Sequence, residues 1–187
     1  QGIDKLCQLA NATNGKAKII FYYAGHGLPD QMSEEGYLIP VDVSGNNLQY
    51  AVKLQDVYNK LGQSPTQRTM VFLDACFSGG ARSEQLLANR GVKIKPKKGT
   101  LNGNMIVMAS CSNTESAQSY NAKRHGLFTY YLLKAIKESA GNIRITDLYQ
   151  KTTDKVKVES ILVNGQSQTP SITVSPNLRE EWINWDL

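Results

Sequence analysis

Three short apolar runs constrain the fold more than any other feature of this chain. They are Lys18–Tyr23 (KIIFYY), Thr69–Leu73 (TMVFL) and Met105–Ala109 (MIVMA). Each is too short for a helix, and each stays apolar at successive positions instead of alternating. That pattern belongs to strands buried on both faces, which occur mainly in parallel-rich sheets covered by helices. The segments between the runs have helical spacing. Ile3, Leu6, Leu9 and Ala10 form one stripe, stopped by Asn14-Gly15. Leu54, Val57, Tyr58 and Leu61 form a second, ended at Gly62, and a third covers Leu127–Ile136. Thr146 is expected to cap a helix running to about Leu162, and Ser83–Asn89 reads as a short helix. Tyr37–Val41 reads as an accessory strand, and Ile172–Val174 as a last strand. Strands alternating with helices predict an α/β fold with a mostly parallel central sheet flanked by helices.

The chain has 187 residues, which predicts a single domain over 1–187 with one core. Residues 90–103, rich in Gly, Lys and Asn, read as a linker inside it. The longest apolar runs fall far short of the ~20 residues a membrane span needs, so no membrane segment is expected. The net charge is +5. Its dense part, Lys93, Lys95, Lys97 and Lys98, has no interleaved aromatic residues, so no nucleic-acid partner is expected. Cys7, Cys76 and Cys111 are odd in number and widely spaced, which fits neither a disulfide framework nor a zinc site. Free thiols suit a reducing compartment, so a cytoplasmic location is expected. The chain opens on Gln1, which predicts that it begins inside a longer product.

Two of the strands run into glycine-rich punctuation. The first leads into Ala24-Gly25-His26-Gly27, the second into Asp74-Ala75-Cys76-Phe77-Ser78-Gly79-Gly80. Ligands in open α/β sheets bind beyond the carboxyl ends of the strands. If the two strands are parallel neighbours, His26 and Cys76 emerge together. A thiol with pKa near ~8.5 is barely ionised at neutral pH, and an adjacent imidazole takes its proton during attack. The backbone N–H groups of Gly27 and Cys76 are expected to form an oxyanion hole, each donor being worth ~2.7–4 kcal/mol. Taken singly, either residue has an ordinary structural explanation, Cys76 as a small core residue and His26 as a strand-end side chain. His125 reads as a helix-entry residue, Cys111 as a pocket wall and Cys7 as core.

These residues resemble the caspase-like cysteine peptidases, in particular metacaspases and their prokaryotic relatives. Cys76 lies 50 residues after His26, within the motifs Tyr22-Tyr23-Ala24-Gly25-His26-Gly27 and Asp74-Ala75-Cys76-Phe77-Ser78-Gly79. Gly126-Leu127-Phe128-Thr129 and Gln168-Thr169-Pro170 are similar to later family motifs. The resemblance implies a caspase-like three-layer sandwich and a cysteine endopeptidase, with Cys76 as nucleophile and His26 as general acid/base. Caspases place Gln two residues before the nucleophile, whereas this chain has Asp74, as metacaspases and paracaspases do. A carboxylate in an S1 pocket favours a cation, so cleavage after Arg or Lys is expected, with Ser110, Cys111 and Ser112 lining the same pocket. The other reading of Asp74 is a strand-end carboxylate that caps backbone N–H groups.

The resemblance also implies parts that are not visible here. The family's first strand, helix and second strand would precede residue 1. The strand Lys18–Tyr23 would then be an exposed edge, so an N-terminal fragment of the same precursor is the expected partner completing the sheet. Many metacaspases need calcium. Asp30, Glu34, Glu35, Asp42 and Asp56 include no adjacent Asp pair, so no metal site and no cofactor are expected, and calcium activation lacks its acidic cluster. Arg90, Lys93, Lys95, Lys97 and Lys98 match the implied specificity and are candidate sites of self-processing from a zymogen. Clostripain- and gingipain-like relatives are a second enzyme reading. An inactive caspase-like scaffold that binds partners is the alternative outside enzymes.

Overall fold

The computed structural model describes residues 2–43, 47–77, 97–112 and 115–187. The expected helix Ser83–Asn89 and residues Arg90, Lys93 and Lys95 lie outside these. The elements in chain order are α1 (Gly2–Asn11), β1 (Lys18–Ala24), β2 (His26–Pro29), β3 (Gly36–Ile39), β4 (Val52–Lys53), α2 (Leu54–Gln63) and β5 (Arg68–Asp74). They continue with β6 (Met105–Ala109), β7 (Ser119–Tyr120), β8 (His125–Gly126), α3 (Leu127–Glu138), α4 (Ile145–Asn164) and β9 (Ser171–Val174).

The central sheet has the order β1-β5-β6-β9. β1, β5 and β6 run parallel, and β9 is antiparallel to β6. This is the mostly parallel sheet that the apolar runs predict. All seven residues of β5 are buried, because helices cover both of its faces. On one face α1 and α2 close over Ile19, Val71, Leu73, Met105 and Val107. On the other, α3 and α4 close over Met70, Phe72, Ile106 and Met108. No β1 side chain belongs to that second cluster, and Ile20 and Tyr22 stay exposed on it. Among the described residues β1 pairs with β5 alone, so its outer edge is open.

Several boundaries differ from the sequence expectations for physical reasons. Gly62 does not end its helix, which continues to Gln63. Its missing side chain instead admits Asn102, whose carbonyl oxygen would lie 2.6 Å from a Cβ there. Thr146 lies inside α4, whose N-cap is Arg144. The stretch 90–103 is not a linker throughout. Gln55 of α2 exchanges two hydrogen bonds with Thr100 (2.8 and 2.9 Å), and Leu101 is buried in the core. His125 directly precedes Gly126, the N-cap of α3. It forms a hairpin arm, opposite Tyr120.

Candidate active site

The 50-residue spacing of His26 and Cys76 is the register of two parallel strands. Lys18 stands opposite Arg68 and Ala24 opposite Asp74. The Gly25 N–H donates to the Asp74 carbonyl at 3.1 Å and carries the ladder one step further. The same offset brings His26 level with Cys76 immediately beyond both strand ends. The two residues therefore share the carboxyl edge of the sheet, where α/β folds place their ligands.

The histidine side is built from nearby residues. The chain re-pairs at once, His26 opposite Ile39 and Gly27 opposite Leu38. The Tyr23 hydroxyl donates to the His26 carbonyl (2.8 Å) and to the Ile39 carbonyl (3.0 Å), which pins the turn to the hairpin. Burial pushes the Tyr23 phenol up, so it remains a donor at neutral pH. Gly27 is a strand residue, not a loop residue. A Cβ there would lie 2.6 Å from the Phe77 ring and 2.8 Å from the Cys76 carbonyl oxygen. Its glycine identity thus follows from close packing against the Cys76 backbone. The His26 side chain is exposed.

The cysteine side is built from distant residues. Cys76 is 1% exposed and packs with Cys111 and Ala117. The Ala117 N–H donates to its sulfur at 2.7 Å, an interaction that a thiolate accepts more strongly than a thiol. A hydrogen bond with Cys76 and then burial push the Cys111 thiol far up, so Cys111 stays protonated beside its neighbour. Cys111 packs directly against Cys76 in this buried cluster.

The loop carrying Ala117 is held by the Gln168-Thr169-Pro170 motif. Gln168 is fully buried. Its amide donates to the Ser110 carbonyl (2.8 Å) and accepts from the Gln118 N–H (2.9 Å). The Glu115 carboxylate accepts from the Thr169 N–H (2.7 Å), the Thr169 hydroxyl (3.1 Å) and the Ser112 hydroxyl (3.0 Å). Burial works to raise Glu115, but these donors outweigh it and hold the carboxyl below its ordinary range. In the sequence the motif is visible only as part of a family pattern. Its partners Glu115, Ala117 and Gln118 carry no signal there.

Asp74 is 1% exposed. Its carboxyl accepts from the Thr129 hydroxyl (2.6 Å) and the Thr129 N–H (3.3 Å) in the first turn of α3. The Tyr22 hydroxyl is 2.7 Å from the Thr129 oxygen. A Cβ on Gly126 would meet the Asp74 carboxyl at a distance no side chain tolerates, so the backbone at Gly126 rests directly on it. This geometry is the capping arrangement that the sequence left open, with a carboxyl at a helix N-terminus.

Of the four residues expected in one S1 pocket, Ser112 lines a cavity, and Asp74, Ser110 and Cys111 are not among its described lining residues. Ser110 is fully buried, its hydroxyl directed at the Ala75 carbonyl (3.4 Å). Ser112 lines a cavity of about 740 Å³ between α2 and the sheet, with Leu73, Phe77 and Ile172. Asp74 alternates with Leu73 along β5 and faces α3 on the opposite side. Of the candidate cleavage residues, Lys97 and Lys98 are exposed at the rim of that cavity, and the Lys97 N–H is tied to the Glu34 carbonyl (2.8 Å). The Asp30 carboxylate accepts from Ser33 within its own turn, and Glu35 pairs with Lys53. Among the described residues no helix is long and apolar enough to cross a membrane.

Fold and site together define a caspase-like α/β domain with a cysteine and a histidine at neighbouring strand ends. The chain belongs to the caspase-domain family of C14 peptidases, whose model matches residues 1–180. It is 26% identical over 132 residues to a probable protease from a Desulfuromonadales bacterium, covering 68% of this chain. The chain spans only 16% of that relative's length. Caspase-1 from Spodoptera frugiperda has a similar structure, with a TM-score of 0.60 and 17% identity over 92% of this chain and 68% of that one. Protein GSU0716 from Geobacter sulfurreducens is also similar, with a TM-score of 0.62 and 14% identity over 98% of this chain and 76% of its own.

Proposed function

We propose that this domain is a cysteine endopeptidase that cleaves after Arg or Lys through a Cys76–His26 dyad. The observation that supports it most is the shared register offset, which pairs Ala24 with Asp74 at the carboxyl ends of β1 and β5, two residues before His26 and Cys76. His26 takes the Cys76 proton, and the thiolate attacks the scissile carbonyl carbon. The backbone N–H groups of Cys76 and Gly27 are the donors for the resulting oxyanion. The tetrahedral intermediate collapses, and His26 returns the proton to the leaving amine. Water then attacks the thioester with His26 as base, releasing the acid product and the thiol. In the present conformation the sulfur lies against Ala117, so attack requires it to leave that contact.

Asp74 is the acid through which a cationic P1 side chain is read. It lies two residues before the nucleophile on the same strand end, and since Thr129 and the Gly126 backbone cover its carboxyl in this conformation, a P1 cation reaches it only when that cover shifts. A bidentate Arg is the best partner for such a group. The same specificity makes the lysines at 97 and 98 candidate points of self-processing. The open edge of β1, with Ile20 and Tyr22 exposed, fits an extended segment of the same precursor as partner. Free thiols and a thiol nucleophile suit a reducing compartment such as the cytoplasm.

Fluorogenic peptides matched except for Arg, Lys or Asp at P1 test this reading, with Cys76→Ala as control. Cleavage after Arg and Lys that disappears in the variant is expected. Cleavage after Asp would remove the role given to Asp74 and leave the dyad. The alternative, a caspase-like interaction domain without turnover, draws on the burial of Cys76. It predicts no cleavage of any peptide, and alkylation of Cys76 no faster than that of Cys7.

A further inference from the structure

Cys111 has no part in the reaction proposed above, yet it packs against the proposed nucleophile. Neither residue is in a disulfide, and the two pack in one small buried cluster with Ala117. The register explains why. β5 and β6 are parallel with Leu73 opposite Ala109, and the Ser110 N–H continues the ladder to the Leu73 carbonyl at 2.8 Å. Cys111 therefore arrives beside Ala75, and its sulfur is 3.9 Å from the Ala75 carbonyl oxygen. Cys76 is the next residue. Disulfides form between residues whose Cα atoms are roughly 4.4–6.8 Å apart, and neighbouring strands lie about 4.8 Å apart. The third cysteine, Cys7, is on α1 with its sulfur directed at the Lys60 carbonyl of α2, on the far side of the Leu73 core cluster.

We propose that Cys76 and Cys111 form a reversible disulfide under peroxide, with Cys111 as the resolving thiol. The Cys76 thiolate attacks hydrogen peroxide. Its sulfur is oxidised by two electrons to sulfenic acid, the O–O bond breaks, and hydroxide leaves. The Cys111 sulfur then attacks the Cys76 sulfur and the S–O bond breaks. The oxygen departs as water with the Cys111 proton, and the S–S bond remains. A dithiol reductant returns both thiols. The Cys76 sulfur lies between the Ala117 N–H (2.7 Å) and the Ala117 carbonyl (3.5 Å), and the Cys111 thiol gives up its proton as its sulfur attacks. The bond traps Cys76 as a cystine and shields it from further, irreversible oxidation. Formation of the bond is independent of peptidase activity. Its effect on cleavage rests on Cys76 being the nucleophile.

The test treats the purified protein with a small excess of hydrogen peroxide, blocks free thiols by alkylation and maps the peptides by mass. The expected result is a mass lower by about 2 Da, a Cys76–Cys111 linked peptide, and Cys7 as the one alkylated cysteine, all reversed by dithiothreitol. In Cys111→Ser the linked peptide is absent and Cys76 gains about 32 Da as sulfinic acid, which dithiothreitol does not reverse. Sulfinic acid forming on Cys76 as fast in the parent as in Cys111→Ser would overturn the proposal, as would a linkage through Cys7. Mapping of the parent decides the point even if the variant fails to fold. Peptide cleavage, measured in parallel, is expected to vanish on oxidation and return on reduction. Its absence under all conditions would count against the peptidase reading and leave the mass result standing.

Discussion

The ends of β1 and β5 are register partners but are built in opposite ways. Beyond β1 the chain is supported locally. Tyr23 reaches the carbonyls of His26 and Ile39, three and sixteen residues away, and the His26 side chain stands in solvent. Beyond β5 the support is remote. Cys76 meets Ala117 across 41 residues, Asp74 meets Thr129 across 55, and the loop between them is bolted by Gln168, 58 residues from Ser110. The difference teaches that the histidine side of the site is a surface feature on a hairpin, while the cysteine side is part of the core. Substitutions at the two ends should therefore separate activity from stability.

The largest effect on folding is expected at Gly126. An alanine Cβ there overlaps the Asp74 carboxyl, which Thr129 holds and cannot release cheaply. Gly126→Ala should cost roughly 3 kcal/mol or more, read as a drop in the denaturation midpoint. Gln168→Ala comes next. It strands the buried Ser110 carbonyl and Gln118 N–H, at about 2–4 kcal/mol, and loosens the loop behind Cys76.

Glu115→Gln sharpens the comparison through pH. Glu115 is held below its ordinary range in the folded state, so its contribution is present above the unfolded value of ~4.3 and fades as pH falls through the folded one. The variant should be less stable at pH 7 by about 1 kcal/mol, and the gap should close toward pH 3. Thermal midpoints recorded across pH check this, and a gap that widens on acidification would contradict it. The smallest effect is expected at the β1 end. Tyr23→Phe should cost about 1 kcal/mol of stability while lowering kcat more than it changes KM, because it frees the turn that carries His26.

The same contrast explains what the sequence made legible. The three apolar runs predict β1, β5 and β6 within a residue or two, because strands buried on both faces leave a contiguous signal. His26 and Cys76 are legible because glycines flank both and their spacing equals a strand register. The short strands β2, β4, β7 and β8 are not, since two to four residues carry no period and are fixed by pairing. The packing of Gly27 against the Phe77 ring is not legible, because a glycine required by a neighbouring ring looks the same in sequence as one required by a turn. The reach of Gln168 and Glu115 into the 110–118 loop depends on contacts that span some 50 residues, which local patterns do not encode.

The central claim is that His26 and Cys76 act as one unit. The most direct test is kcat/KM for the best Arg peptide in the parent, Cys76→Ala, His26→Ala and the double variant, each checked for an unchanged fold. Each single change is expected to lower kcat/KM by about 10³-fold or more, and the double variant should fall little further than either single one. Equal thermal midpoints for His26→Ala and the parent would accompany this, since that side chain stands in solvent. A His26→Ala variant that retains most of its activity, or losses that multiply in the double variant, would contradict the account.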